Sequence, residues 1–148
     1  MGTCLADMLY AKAGLAGIRL LEREGVKVIY PREQTCCGQP AFNSGFQEEA
    51  LEVALHQINC FPKAYPIVVP SGSCGAMMVR HYPELFEGHP LEKKAIEFSL
   101  RIFELSEFPH HVLKIRIRFI LWGHALRTSF TQKQGWEESV YWKERESK

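Results

Sequence analysis

Four cysteines stand where soft-ligand chemistry can be built. Cys36 and Cys37 are adjacent within Gln34-Thr35-Cys36-Cys37-Gly38-Gln39-Pro40, Cys74 lies in Ser71-Gly72-Ser73-Cys74-Gly75, and Cys4 follows Met1-Gly2-Thr3. Thiolates are soft donors suited to iron–sulfur clusters, zinc and copper(I). Cys4 and Cys74 are expected just ahead of helix N-termini, where the helix dipole lowers a thiol pKa. Neighbouring side chains of a regular strand point to opposite faces, so Cys36 and Cys37 serve one site only from an irregular loop. Gly38, which tolerates positive φ, and Pro40, which fixes its own, permit such a loop. Cys60, mid-face on a helical segment, reads as a core residue, as lone free cysteines often are.

The elements that must position these thiols follow from hydrophobic periodicity. A helix is predicted over Ala11 to Glu24, with Leu15, Ile18 and Leu20 or Leu21 at 3–4 spacing and Gly25 just past its end. Val26 to Tyr30 reads as a short strand closed by Pro31, and Ile67-Val68-Val69-Pro70 as a second strand too apolar to face water. Between them Phe46 to Phe61 is helical, with Leu51, Ala54 or Leu55 and Ile58 on its apolar face. A turn at Ser71–Gly75 leads into a helix ending near Leu85. Pro90 opens another, with Leu91, Ala95, Phe98, Ile102 and Leu105 as its stripe. Helices alternating with short apolar strands give an α/β fold, a small open and mostly parallel sheet flanked by helices. In such sheets the strand–helix junctions open at the carboxyl edge, where ligands bind. Cys36, Cys37 and Cys74 follow strands there, and Cys4 precedes the first helix.

Composition removes several functions. With 148 residues, 18 Lys/Arg against 17 Asp/Glu and a net charge of +1, the chain is neither a strongly basic nucleic-acid binder nor an acidic disordered segment. No apolar run reaches the ~18 residues of a membrane span and no signal peptide precedes the core, so a cytoplasmic location is expected; a structural disulfide does not suit that compartment. No G-x-G-x-x-G follows a strand. A nucleophile elbow at Cys74 lacks the second glycine at the right spacing and leaves Cys36 and Cys37 unexplained. His56 and the His110-His111 pair read as surface residues, and His81 lies about two helical turns beyond Cys74. Arg80 and His81 near an anionic substrate is a weaker reading.

Thr3-Cys4-Leu5-Ala6-Asp7, the run 31–45 (PREQTCCGQPAFNSG) and Pro70-Ser71-Gly72-Ser73-Cys74 resemble the cysteine-rich CCG domain family, with a likeness covering about residues 2–113. Such domains occur in the cysteine-rich subunit of heterodisulfide reductases and in the iron–sulfur subunit of glycolate oxidases; the likeness here is to the amino-terminal copy in the lactate utilization protein A family. The spacing carries it, with 31 residues between Cys4 and Cys36 and 36 between Cys37 and Cys74. The resemblance implies an iron–sulfur cluster, of the [4Fe–4S] type, held by Cys4, Cys36, Cys37 and Cys74, with Gly38, Pro40 and Gly72 shaping the ligand loops. It implies electron transfer from L-lactate, glycolate or a similar 2-hydroxy acid, alongside other Fe–S and accessory subunits of an oxidation complex.

Two departures from the family pattern set further expectations. Members usually begin with an apolar strand before the residue matching Cys4, so the first strand is expected to be missing. Met77 stands where a fuller C-x-x-C pattern has its last cysteine. Residues 1–113 are therefore read as one cysteine-rich domain, incomplete at its start. Residues 114–148 hold all three tryptophans and read as a divergent tail. Within it Lys114-Ile115-Arg116-Ile117 reads as a strand opening a second domain, and Gly123-His124-Ala125-Leu126-Arg127 resembles the family's Cys-His-Ala-Leu-Arg. The tail is accordingly expected to be a frameshifted start of a second CCG domain. Two alternatives stay open: a zinc-binding structural module, although zinc ribbons usually carry two C-x-x-C knuckles that this chain lacks, and an inactive truncated gene product.

Overall fold

A computed structural model describes residues 1–114; the readings placed on residues 115–148 lie outside the described residues. In chain order the elements are α1 (Cys4–Met8), α2 (Ala11–Arg23), α3 (Gln39–Asn43), α4 (Gln47–Asn59), β1 (Ile67–Val69), α5 (Gly72–Ala76), a π-helical turn (Met77–His81), α6 (Tyr82–Leu85), α7 (Glu92–Leu100), β2 (Ile102–Glu104) and α8 (Glu107–His111). The fold is α/β, as the periodicity requires. β1 and β2 pair in parallel, with Ile67 opposite Ile102 and Val69 opposite Glu104, and the helical segment from Gly72 to Leu100 makes the crossover that parallel pairing demands.

The core lies where this crossover packs on the sheet. Val69, Met77, Met78, Tyr82, Phe86, Ala95, Phe98 and Ile102 are buried together with Ala54 and Ile58 of α4 and with Cys37 and Cys74. Tyr82 and Phe98 stack with ring centroids 5.8 Å apart. The Arg101 guanidinium donates to the carbonyls of Phe61 (3.0 Å) and Lys63, which fastens the loop that delivers β1 to the sheet.

The helix from Gly72 to Leu85 is continuous but contains a wide turn, and Pro83 explains it. Proline inside a helix has no N–H to give and its ring crowds the carbonyl four residues back. The backbone opens to an i→i+5 pattern, in which the Tyr82 N–H bonds Met77 O. The carbonyl of Met78, five residues before Pro83, takes its hydrogen bond from elsewhere: Ser99 Oγ of α7 lies 2.7 Å away, buried.

Three expectations change. Val26–Tyr30 forms no ladder, and Ile29 and Tyr30 are exposed. A strand there needs a neighbour, and among the described residues none pairs with it. The Met1 nitrogen nevertheless lies 2.6 Å from Val68 O, on the edge of β1 opposite β2, so these residues stand where a leading strand would pair. Second, the stripe begun at Leu91 does not continue as helix: α7 ends at Leu100, and Ile102 reaches the core from β2. Four residues from Phe98, it suits a helical spacing and a buried strand equally. Third, a single helical turn, α1, precedes the helix read as the first, and another, α3, begins within the loop read over residues 34–40. Among the described residues, no helix is long and apolar enough to cross a membrane.

Gly38 is the backbone position on which the cysteine loop turns. Its φ is +81°, and a Cβ there would lie 3.3 Å from Ala50 O and 3.5 Å from Val53 Cγ1. Gly38→Ala should therefore destabilise the fold by ~1–2 kcal/mol or more through the left-handed backbone alone. The urea midpoint of the metal-free protein measures this; an unchanged midpoint would show that the turn relaxes freely.

Candidate metal centre

Each cysteine is set by a separate local device. Thr3 is buried and its Oγ1 accepts the Ala6 N–H at 3.2 Å, an N-cap that starts α1 at Cys4. The loop carrying Cys36 and Cys37 is tied down almost residue by residue. Gln34 Oε1 accepts the Gly2 N–H at 2.8 Å while its amide donates to Pro31 O at 2.7 Å. The Thr35 N–H donates to Gln57 Oε1 at 2.9 Å, and the buried Tyr82 hydroxyl donates to Cys37 O at 3.0 Å. Gly38 then turns the chain into α3, with Pro40 in its first turn. Cys74 lies inside the first turn of α5 rather than ahead of it, and Cys4 is the first residue of α1. Gly72 has open space where a side chain would stand.

The result is two thiol pairs. Cys4 Sγ and Cys36 Sγ are 3.5 Å apart and half-buried. Cys37 and Cys74 are buried and share a hydrogen bond. Adjacent side chains thus take different partners, yet Cys36 and Cys37 remain close enough to repel when charged. Cys60 is not a core residue: it caps the end of α4, half-buried, with its sulfur 3.6 Å from His56 Nε2, and burial followed by the nearby Glu33 carboxylate raises its pKa.

In the buried pair one proton is shared unequally. The hydrogen bond from Cys37 pulls the Cys74 thiol down to about 6 against the opposing cost of burial, with help from the Ser71 and Ser73 hydroxyls. The same bond, with burial, pushes Cys37 up. Burial, followed by the charge of Cys37, Cys36 and Cys74, raises the Tyr82 hydroxyl, which stays a neutral donor.

All four donors are soft sulfur, with no imidazole or carboxylate among them, which fits an iron–sulfur group or zinc and not a hard cation. Among the described residues, no three His, Cys, Asp or Glu side chains converge on one point. Gln57, fully buried beside Thr35, leaves its Nε2 without a hydrogen-bond partner. Tyr82 and Gln57 are the positions that motif reading missed. Pro83, inside an otherwise helical pattern, is the one sequence signal pointing towards Tyr82. His81 is engaged elsewhere: its Nδ1 lies 2.7 Å from Glu84 Oε2 and its ring 4.5 Å from Phe42. His56, His110 and His111 are exposed, as read.

Two outcomes follow for the metal-free protein. Folded Cys74 gives up its proton near pH 6, whereas the unfolded thiol keeps it to the ordinary value of 9.0. Stability should then rise with pH across that window, the contribution being full above 9.0 and gone below about 6. Urea midpoints taken across it should lose that slope in Cys74→Ser. Tyr82→Phe removes the donor to Cys37 O and should cost ~1–3 kcal/mol; a smaller loss would mean that the carbonyl finds water.

Comparison with known proteins places this arrangement. Residues 2–79 match the family model of the cysteine-rich domain CCG. Lactate utilization protein A of Geobacillus kaustophilus (strain HTA426) is 46% identical over 114 residues, covering 76% of this chain and 47% of that protein. The protein of the same name from Exiguobacterium sp. (strain ATCC BAA-1283 / AT1b) is 47% identical over 116 residues, covering 76% and 47%. Lactate utilization protein A 2 of Bacillus cereus (strain Q1) is 40% identical over 112 residues, covering 75% and 46%. The chain thus spans about half the length of these relatives. No solved structure matches it. With the family model spanning more than half its residues, and with the four motif cysteines gathered into two pairs, the chain belongs to the cysteine-rich CCG domain family.

Proposed function

We propose that this chain supplies the cluster-holding domain of an iron–sulfur electron-transfer subunit in a 2-hydroxy-acid oxidation system of the L-lactate or glycolate type. The observation that carries the reading is the gathering of Cys4, Cys36, Cys37 and Cys74 from three separated segments into two contacting pairs beside the sheet. The names of the relatives support the lactate assignment.

In this reading the four cysteines hold a [4Fe–4S] cluster, which when bound takes up and releases single electrons. Residues 1–113 form the domain. The protein's own residues do the positioning: Thr3 sets Cys4, Gly38 and Tyr82 set the Cys36–Cys37 turn, and Ser71 and Ser73 favour the thiolate that Cys74 needs as a ligand. The half-buried pair Cys4 and Cys36 gives the centre its exposed side, the side from which other Fe–S and accessory subunits would exchange electrons with it. Free thiols at all five cysteines go with a cytoplasmic location.

Anaerobic reconstitution with iron and sulfide tests the reading. About four irons and four sulfides per chain are expected, the composition of a four-thiolate cubane, with an EPR signal on reduction. Serine at position 4, 36, 37 or 74 should abolish or sharply lower iron content, and Cys60→Ser should leave it unchanged. Zinc bound in place of iron by the same four residues would instead make the domain a structural module, and no metal in a folded chain would exclude both.

A further inference from the structure

Gln57 carries chemistry that the four cysteines do not account for. Its side chain is fully buried, and only half of its amide is used: Oε1 accepts the Thr35 N–H at 2.9 Å, while Nε2 has no partner. Turning the amide over would set its NH2 against the Thr35 N–H, donor against donor, so this orientation is fixed by its one hydrogen bond. Two N–H donors are thereby left without acceptors in the interior, a state that native structures rarely leave unexplained.

The place of this amide is specific. The α4 face that bears Gln57 is the one on which the cysteine loop lies: Ala50 O and Val53 stand against Gly38, Val53, Glu52 and His56 line a shallow cleft with Thr35 and Cys36, and Ala54 and Ile58 share the core with Cys37. The residue that Gln57 holds is the immediate neighbour of Cys36. A buried donor there suits an acceptor carrying negative charge, which sulfur becomes as a thiolate or a sulfide.

We infer that Gln57 is a positioning residue for the bound group, its Nε2 donating to sulfur (a cysteine thiolate or a sulfide of the cluster) on the side of Cys36 and thereby raising the reduction potential. The inference rests on the iron–sulfur reading above. Hydrogen bonds to cluster sulfurs disperse negative charge, so they favour the reduced state, in which that charge is larger. The same donors would be satisfied on loading.

The test compares the reconstituted full chain with Gln57→Glu and Gln57→Met by EPR-monitored redox titration. Gln57→Glu keeps an acceptor for the Thr35 N–H but supplies no amide donor; Gln57→Met keeps the volume and has neither. Both should lower the midpoint potential, Gln57→Glu by at least tenfold in the one-electron equilibrium constant, ~59 mV, and Gln57→Met by less. In reduced wild-type protein labelled with side-chain 15N-glutamine, pulsed EPR should resolve a nitrogen coupling that Gln57→Met removes. That signal needs no charged variant to fold. An unchanged potential in a loaded Gln57→Met, or no such coupling in the wild type, overturns the role of Gln57 while the cluster assignment stands. A wild-type chain that takes up no iron and sulfide overturns the cluster reading itself and this inference with it.

Discussion

The hydrogen bond from the buried Tyr82 hydroxyl to the Cys37 carbonyl joins the two halves of the described structure, the cysteine loop and the hydrophobic interior. A phenol surrounded by apolar side chains requires a partner for its O–H, and a loop carbonyl turned inwards requires a donor. Each satisfies the other. Because Tyr82 also stacks on Phe98 of α7, the position of Cys37 is referred through one side chain to the packing of the crossover helices on the sheet. Cys37 in turn shares its proton with Cys74 on the same crossover, so a loop and a helix distant in sequence are locked at the sulfur atoms as well.

That lock depends on a local irregularity. Pro83 cannot complete a regular helix, and the π-turn from Met77 to His81 absorbs the misfit. One additional residue in a turn rotates everything after it by about a quarter of a circle relative to everything before it. Cys74, before the turn, and Tyr82, after it, can therefore both address the Cys37 segment. Ser99 supplies the donor that Pro83 withholds from Met78 O, which makes the irregularity compatible with complete burial.

At the other side of β1 the same economy is seen with less material. Val68 O is met by the nitrogen of Met1, and Gly2 and Gln34 tie the start of the chain to the cysteine loop. Among the described residues, only the Met1 nitrogen is seen on the strand edge before the Thr3 cap turns the chain into α1, with Cys4 towards Cys36. The N-cap thus fixes where the fourth thiol stands.

Much of this was legible in the residues themselves. The helices over 11–23 and 47–59 follow from periodicity, β1 from an apolar run between turn residues, and the irregular cysteine loop from Gly38 and Pro40; these are local properties, fixed by φ preferences and by the spacing of apolar side chains. The set of four thiols was legible too, because residue type and separation along the chain do not change on folding. What the sequence could not determine was pairing. Whether Val26–Tyr30 becomes a strand depends on a neighbour, whether Ile102 is helix or strand depends on Ile67 opposite it, and whether Cys60 is buried depends on what covers the end of α4. The assignment of Cys36 to Cys4 and of Cys37 to Cys74, the orphaned amide of Gln57 and the reach of Tyr82 belong to the same class. Each is a contact between segments tens of residues apart, and only tertiary packing, which trades burial against hydrogen bonding over the whole domain, decides it.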